Sequence, residues 1–208
     1  MDDLGHRTRL TRLGFLLEGI TLGWNVIGIV VLAIAAIAAR SVALAGFGLD
    51  SLIEIGASAV VIWELAGSKG RQPRAGLRLI GFAFLLLAAY LAIQSSVVLV
   101  VGFHASASTL GIVWTGMTAA VMFLLASGKA RVGAGLHNPV LHVEGRVTLV
   151  DGFLATAVLL GLALNASLGW WWADPLAAYV LLIYAVKEGR SSLRNSSMAE
   201  RSQSEESA

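Results

Sequence analysis

Asp50 and Glu54 stand four residues apart inside a run, Ser41 to Trp63, that is otherwise apolar enough to lie in a bilayer. At that spacing both carboxylates leave one face of a helix, and Ser58 continues the face a turn further on. Each charge at the centre of a spanning helix costs about 2.5–3.5 kcal/mol on insertion scales, so a purely structural role explains the pair poorly. A third acid, Asp151, lies in a later apolar run, with Glu144 seven residues earlier on the same helical face. Glu18 and Asn25, also seven apart, give the first run a polar stripe. If the run holding Asp50 passes inward and that holding Asp151 passes outward, Asp50, Glu54 and Asp151 reach similar depth. Three oxygen donors can then converge on one cation, with Asn25 able to assist. Carboxyl groups gathered in low dielectric hold protons when such a site is empty and release them when a dication binds. In a bundle that opens alternately to each side, that competition makes an antiporter.

The elements that must position these groups follow from composition. The chain has 208 residues, 57% hydrophobic and 13% charged, with a mean hydropathy of +0.77. Soluble domains carry about 25% charged residues, so the bilayer is the natural solvent. A spanning helix needs about 20 apolar residues, and six runs approach this: 13–39, 41–66, 77–102, 109–126, 146–167 and 171–188. The expected fold is all-α, a polytopic membrane protein with six transmembrane helices in one domain over 13–190. A basic leader (1–12) precedes it and a polar tail (191–208), expected to be disordered, follows. The Gly-rich stretch from Ser127 to Arg146 reads as the longest connection, and the turn near Ala39–Ser41 should make the first two helices an antiparallel pair.

With no cysteine, disulfides and thiolate metal sites are excluded. The first apolar run far exceeds the roughly 7–15 residues of a signal-peptide core, so it reads as a span. Of the 15 Lys and Arg residues, all but Arg40 fall on the side shared by both termini in a six-span arrangement. The positive-inside rule then places both ends in the cytoplasm of a multi-pass cell-membrane protein. These charges are scattered along connections, which gives nucleic-acid binding no support. His6 and His104 read as solvated. His137 and His142, near Glu144, could collect metal at the inner mouth but read more simply as polar loop residues. Glu64 is expected at the interface, Trp170–Trp172 in an aromatic belt, and Arg40 as a snorkelling end residue.

The segment Leu49-Asp50-Ser51-Leu52-Ile53-Glu54-Ile55-Gly56-Ala57-Ser58 resembles the acid-xxx-acid motif in the second helix of cation diffusion facilitator transporters. The stretch from Asn165 through Trp170-Trp171-Trp172-Ala173-Asp174-Pro175 is similar to that family's passage from its fifth helix to its sixth. The resemblance covers roughly 13–190. It implies export of a divalent metal ion, usually zinc, from the cytoplasm in exchange for protons, with Asp50, Glu54 and Asp151 as three of four transport ligands. No resident cofactor is implied; the metal is cargo. Where the family commonly has His or Asp four residues before the acid of its fifth helix, this chain has Val147, which cannot ligate. Zinc favours a donor set rich in imidazole and thiolate, whereas oxygen-rich sites suit Mg, Ca or Mn. Most members also add a cytoplasmic dimerising domain after the last helix. Here only a short polar stretch follows, so a homodimer would form through membrane helices.

A second class is a metal-binding or regulatory membrane protein of the same fold that does not transport. An intramembrane enzyme has little to recommend it, since no nucleophile–base pair and no HExxH are present.

Overall fold

The computed structural model describes residues 2–65, 74–136 and 139–206, with side chains described over 8–56, 78–79, 81–136, 141 and 145–194. Six helices make up these residues, without strands: α1 (Asp2–Ala39), α2 (Val42–Leu65), α3 (Arg74–Val101), α4 (Thr109–Leu136), α5 (Pro139–Leu168) and α6 (Ala173–Glu206). Among the described residues, four stretches are long and apolar enough to cross a membrane: 8–39, 81–101, 109–136 and 145–168. Much of their surface is exposed leucine, isoleucine, valine and phenylalanine, as on Ile37, Leu86, Val100 and Leu124. Such a surface is suited to lipid.

Several helices outrun the apolar runs that announce them. The expected leader is part of α1, and α6 continues to Glu206 where a disordered tail was expected. No proline interrupts 176–206, and the Ala, Leu, Glu and Arg there are good helix formers. The connection expected over Ser127–Arg146 is also corrected. α4 runs on to Leu136 and α5 starts at Pro139, leaving only 137–138 outside the described residues. The glycines of this stretch serve helix contact. A Cβ at Gly145 would lie 3.1 Å from the Ala130 backbone nitrogen, and one at Gly135 would lie 2.9 Å from Leu10. Small residues let helix backbones approach closely where water supplies no driving force.

Three tight connections gather at one end of the bundle. Arg40, with φ +52°, turns the chain from α1 into α2, and Gly102 and Gly169, with φ +69° and +67°, terminate α3 and α5. The Ser106 backbone N–H donates to Ala39 O at 2.9 Å, and Asn165 Nδ2 donates to Ala105 O at 2.9 Å. His104 packs against Trp171, and the Arg40 guanidinium lies over the Phe103 ring. Arg40 thus stacks on an aromatic ring beyond its expected role as a helix-end residue. Trp170 and Trp172 stack on each other and are exposed. The start of α1 and the last turns of α6 belong to the opposite end.

Asp174, in the first turn of α6, clasps the start of α2. Its carboxylate accepts from the Ser41 hydroxyl, from Val42 N at 3.0 Å and from Ala43 N at 3.4 Å, while Ser41 Oγ accepts from Leu44 N at 3.0 Å. The amides of Val42, Ala43 and Leu44 are backbone donors that a helix start leaves without partners, and a carboxylate there also complements the helix dipole. This clasp fixes the depth of α2, and with it Asp50. Asp174→Ala should lower stability by roughly 1–3 kcal/mol, read as an earlier thermal unfolding midpoint in detergent. An unchanged midpoint would mean that water replaces the carboxylate at no cost.

The most extensive pairings are α4 with α5 and α3 with α6, and α1 packs on both α2 and α4. Gly81 and Gly189 set the α3–α6 crossing: a Cβ on either would come within 3.0–3.1 Å of the other's carbonyl oxygen. Between α1 and α4, Trp24 stacks on Trp114 and donates through Nε1 to Thr118 Oγ1 at 3.1 Å. α2 meets α5 over a short length only. The acids lie there.

Candidate metal centre

Asp50 sits on the third turn of α2 and Glu54 one turn further along the same face. Asp151 comes from the middle of α5. One oxygen from each of the three carboxylates lies within 4.8 Å of the other two. Asp50 is 2% exposed and Asp151 3%, with Glu54 half-buried. The convergence expected from helix direction and spacing is therefore present in the fold. Two oxygens on opposite sides of an ion at 2.3–2.6 Å are about 4.6–5.2 Å apart, so this separation can close on one hard cation.

The surrounding groups divide between ligands and supports. Asn25, on α1 and buried, donates through Nδ2 to Glu54 Oε2 at 2.8 Å. Its amide is thereby turned to the carboxylate as a donor, a contact that holds Glu54 in place. Ser51 is not drawn in, because its hydroxyl donates to Phe47 O at 3.2 Å within α2. The Asp50 Oδ1 atom is buried and has no hydrogen-bond partner among the described residues. Such an atom is costly in a low-dielectric interior. A bound cation would satisfy it.

α6 supplies two residues that the sequence reading missed. Tyr184 Oη is buried, also without a hydrogen-bond partner among the described residues. It lies within electrostatic reach of Asp50, Glu54 and Asp151, while Phe84 of α3 holds its ring edge-on at 5.8 Å. Glu188, one turn beyond Tyr184, is close enough for its charge to act on both Tyr184 and Asp50. The Tyr184–Glu188 spacing repeats that of Asp50 and Glu54, a signal hidden at the edge of the last apolar run.

Glu18 does not join the cluster. It pairs with Lys129 of α4, Oε1 to Nζ at 3.1 Å and Oε2 to Nζ at 3.2 Å, with both side chains 0% exposed. Lys129 was expected on the inner surface with the other basic residues; instead it is buried, because α4 carries it inward against Glu18. Seven residues separate Glu18 from Asn25, about 10 Å along α1, so the ion pair is a layer apart from the acids. Val147, one turn before Asp151, is half-buried, and Thr148 beside it is buried. His104 belongs to the distant loop end. The side chains of His6, Ser58, Glu64, His142 and Glu144, and all of His137, lie outside the described residues.

Compared with known proteins, the chain matches no family model and no curated protein.

Proposed function

We propose that this chain is a divalent-cation exporter of the cell membrane that exchanges metal for protons at Asp50, Glu54 and Asp151. The observation that carries this reading is the meeting of three carboxylates from two helices, two of them almost wholly buried, within 4.8 Å of one another. Intramembrane acids are rare and mark ion or proton pathways. Asn25 orients Glu54, as outer-shell partners commonly do for metal-binding carboxylates. On this reading all six helices span the bilayer, including α2 and α6, with both termini cytoplasmic, as the distribution of Lys and Arg favours. The resemblance of the Asp50–Ser58 segment to cation diffusion facilitators points the same way.

Exchange follows from competition. Binding a dication among clustered acids releases their protons, so affinity should fall as pH falls. A proton gradient then drives metal across once the site faces the other side. The donors around the site are oxygens, which favours a hard ion such as Mn over zinc. The deciding experiment reconstitutes the purified chain in proteoliposomes and measures metal uptake under an imposed pH gradient. Gradient-dependent accumulation is expected. Metal binding without gradient-driven uptake would identify a non-transporting metal-binding protein instead.

Val147→His places an imidazole one turn from Asp151. Competition among Zn, Mn, Fe, Co and Cd should then rank zinc higher than in the wild type, by about tenfold or more, since an added nitrogen donor suits zinc. An unchanged ranking would mean that position 147 does not face the ion.

A further inference from the structure

On α6, Leu176, Val180, Ile183, Lys187, Arg190 and Arg194 follow one another at spacings of four, three, four, three and four residues. That spacing keeps them in one line along the helix. The first three are exposed apolar residues, with Ile183 68% exposed, and the last three are exposed and basic. The line changes character within one turn, between Ile183 and Lys187. At this change the surface holds an open groove of about 430 Å³, lined by Ile183, Val186, Lys187, Arg190, Ser191 and Arg194. No acid lines it.

We propose that this groove binds one anionic phospholipid of the inner leaflet. Its phosphate would sit among Lys187, Arg190 and Arg194 with Ser191 as a further donor, and its acyl chains would run along Ile183 and Val186. The apolar-to-basic order along the line matches the passage from hydrocarbon to headgroup at a bilayer surface, and the charge of the basic half fits an anion. Glu188, next to Lys187 in the chain, is not among the described residues that line the groove. Juxtamembrane Lys and Arg attract anionic lipid with a strength that grows with their number. The groove lies on the helix that carries Tyr184 and Glu188, so the lipid would anchor one wall of the acid cluster. The proposal needs α6 to lie in the bilayer but does not need cation exchange.

The full chain in neutral detergent, titrated with phosphatidylglycerol or phosphatidylcholine and read by native mass spectrometry, tests it. The wild type should retain one phosphatidylglycerol with a preference over phosphatidylcholine of roughly tenfold to a hundredfold. The variant Lys187→Gln/Arg190→Gln/Arg194→Gln should lose that preference. Arg131→Gln/Arg146→Gln, which removes exposed charge from α4 and α5, should keep it. Asp50→Asn should keep it too, so a failed cation site would leave this result intact. Equal retention of both lipids by the wild type, an undiminished preference in the triple variant, or an equal loss in Arg131→Gln/Arg146→Gln would overturn the proposal. So would displacement of the lipid by millimolar inorganic phosphate, which would mark a free-anion site. Ser191→Cys, introduced into a chain without native cysteine, should stay monomeric on oxidation. A disulfide-linked dimer would show that a second copy fills the groove.

Discussion

Asp50→Asn and Asp151→Asn should each abolish metal-dependent proton release from the purified protein while leaving its expression and folding largely intact. The amide has nearly the shape of the acid, so packing of α2 against α5 is retained. It removes a negative charge from a site that must neutralise a dication and removes one of the protons available for exchange. Asp50 offers the stronger case of the two. Its Oδ1 is buried without a hydrogen-bond partner among the described residues, so the change strands no neighbouring donor. Asn25→Ala is expected to be milder, because Asn25 touches Glu54 through its amide nitrogen. Loss of such an outer contact typically weakens metal affinity 10–100-fold. A pH electrode in weakly buffered solution, with metal added in pulses, distinguishes the three variants. Normal proton release from both Asn variants would place the site elsewhere.

Lys129→Met should destabilise the protein by about 3–5 kcal/mol, because it leaves Glu18 buried without its cation. Glu18 and Lys129 are both 0% exposed and lie 111 positions apart in the chain. They join α1 to α4 in the interior of the bundle. Pairing Lys129→Met with Glu18→Met should recover most of the loss, since apolar replacement of a whole buried ion pair is often neutral or stabilising. Thermal unfolding in detergent, followed by loss of the monodisperse elution peak, reads both variants. A double variant as unstable as Lys129→Met alone would attribute the effect to packing rather than charge. A fully stable Lys129→Met would show that the pair contributes nothing.

The acid cluster was legible in the sequence because its information is local. Asp50 and Glu54 share a helix face by spacing alone, and the alternation of helix direction suffices to bring Asp151 to the same depth. Asn25 was found for a similar reason, as a polar residue on an otherwise apolar run. Lys129 was not, because hydropathy marks where a helix is greasy and not where it ends. The glycines and charges after Ser127 resemble a loop until α4 and α5 are seen packed together, with Gly145 against Ala130. The partner that makes a buried lysine tolerable lies on another helix, and no spacing rule points to it. Tyr184 and Glu188 escaped notice because a tyrosine in an apolar run ordinarily reads as packing, and a glutamate beside Lys187 reads as surface. The clasp of Asp174 on Ser41, Val42 and Ala43 is likewise long-range. Only the Asp-Pro pair hinted at a helix start.

Anomalous diffraction from crystals grown with Mn at neutral to alkaline pH tests the central claim most directly. A single strong peak should lie among Asp50, Glu54 and Asp151, with at least one oxygen of each within about 2.0–2.6 Å, the range of hard divalent ions. The peak should vanish in Asp50→Asn crystals grown alike. Saturating metal with no density at these carboxylates, or a peak at another place in the bundle that survives Asp50→Asn, would contradict the account.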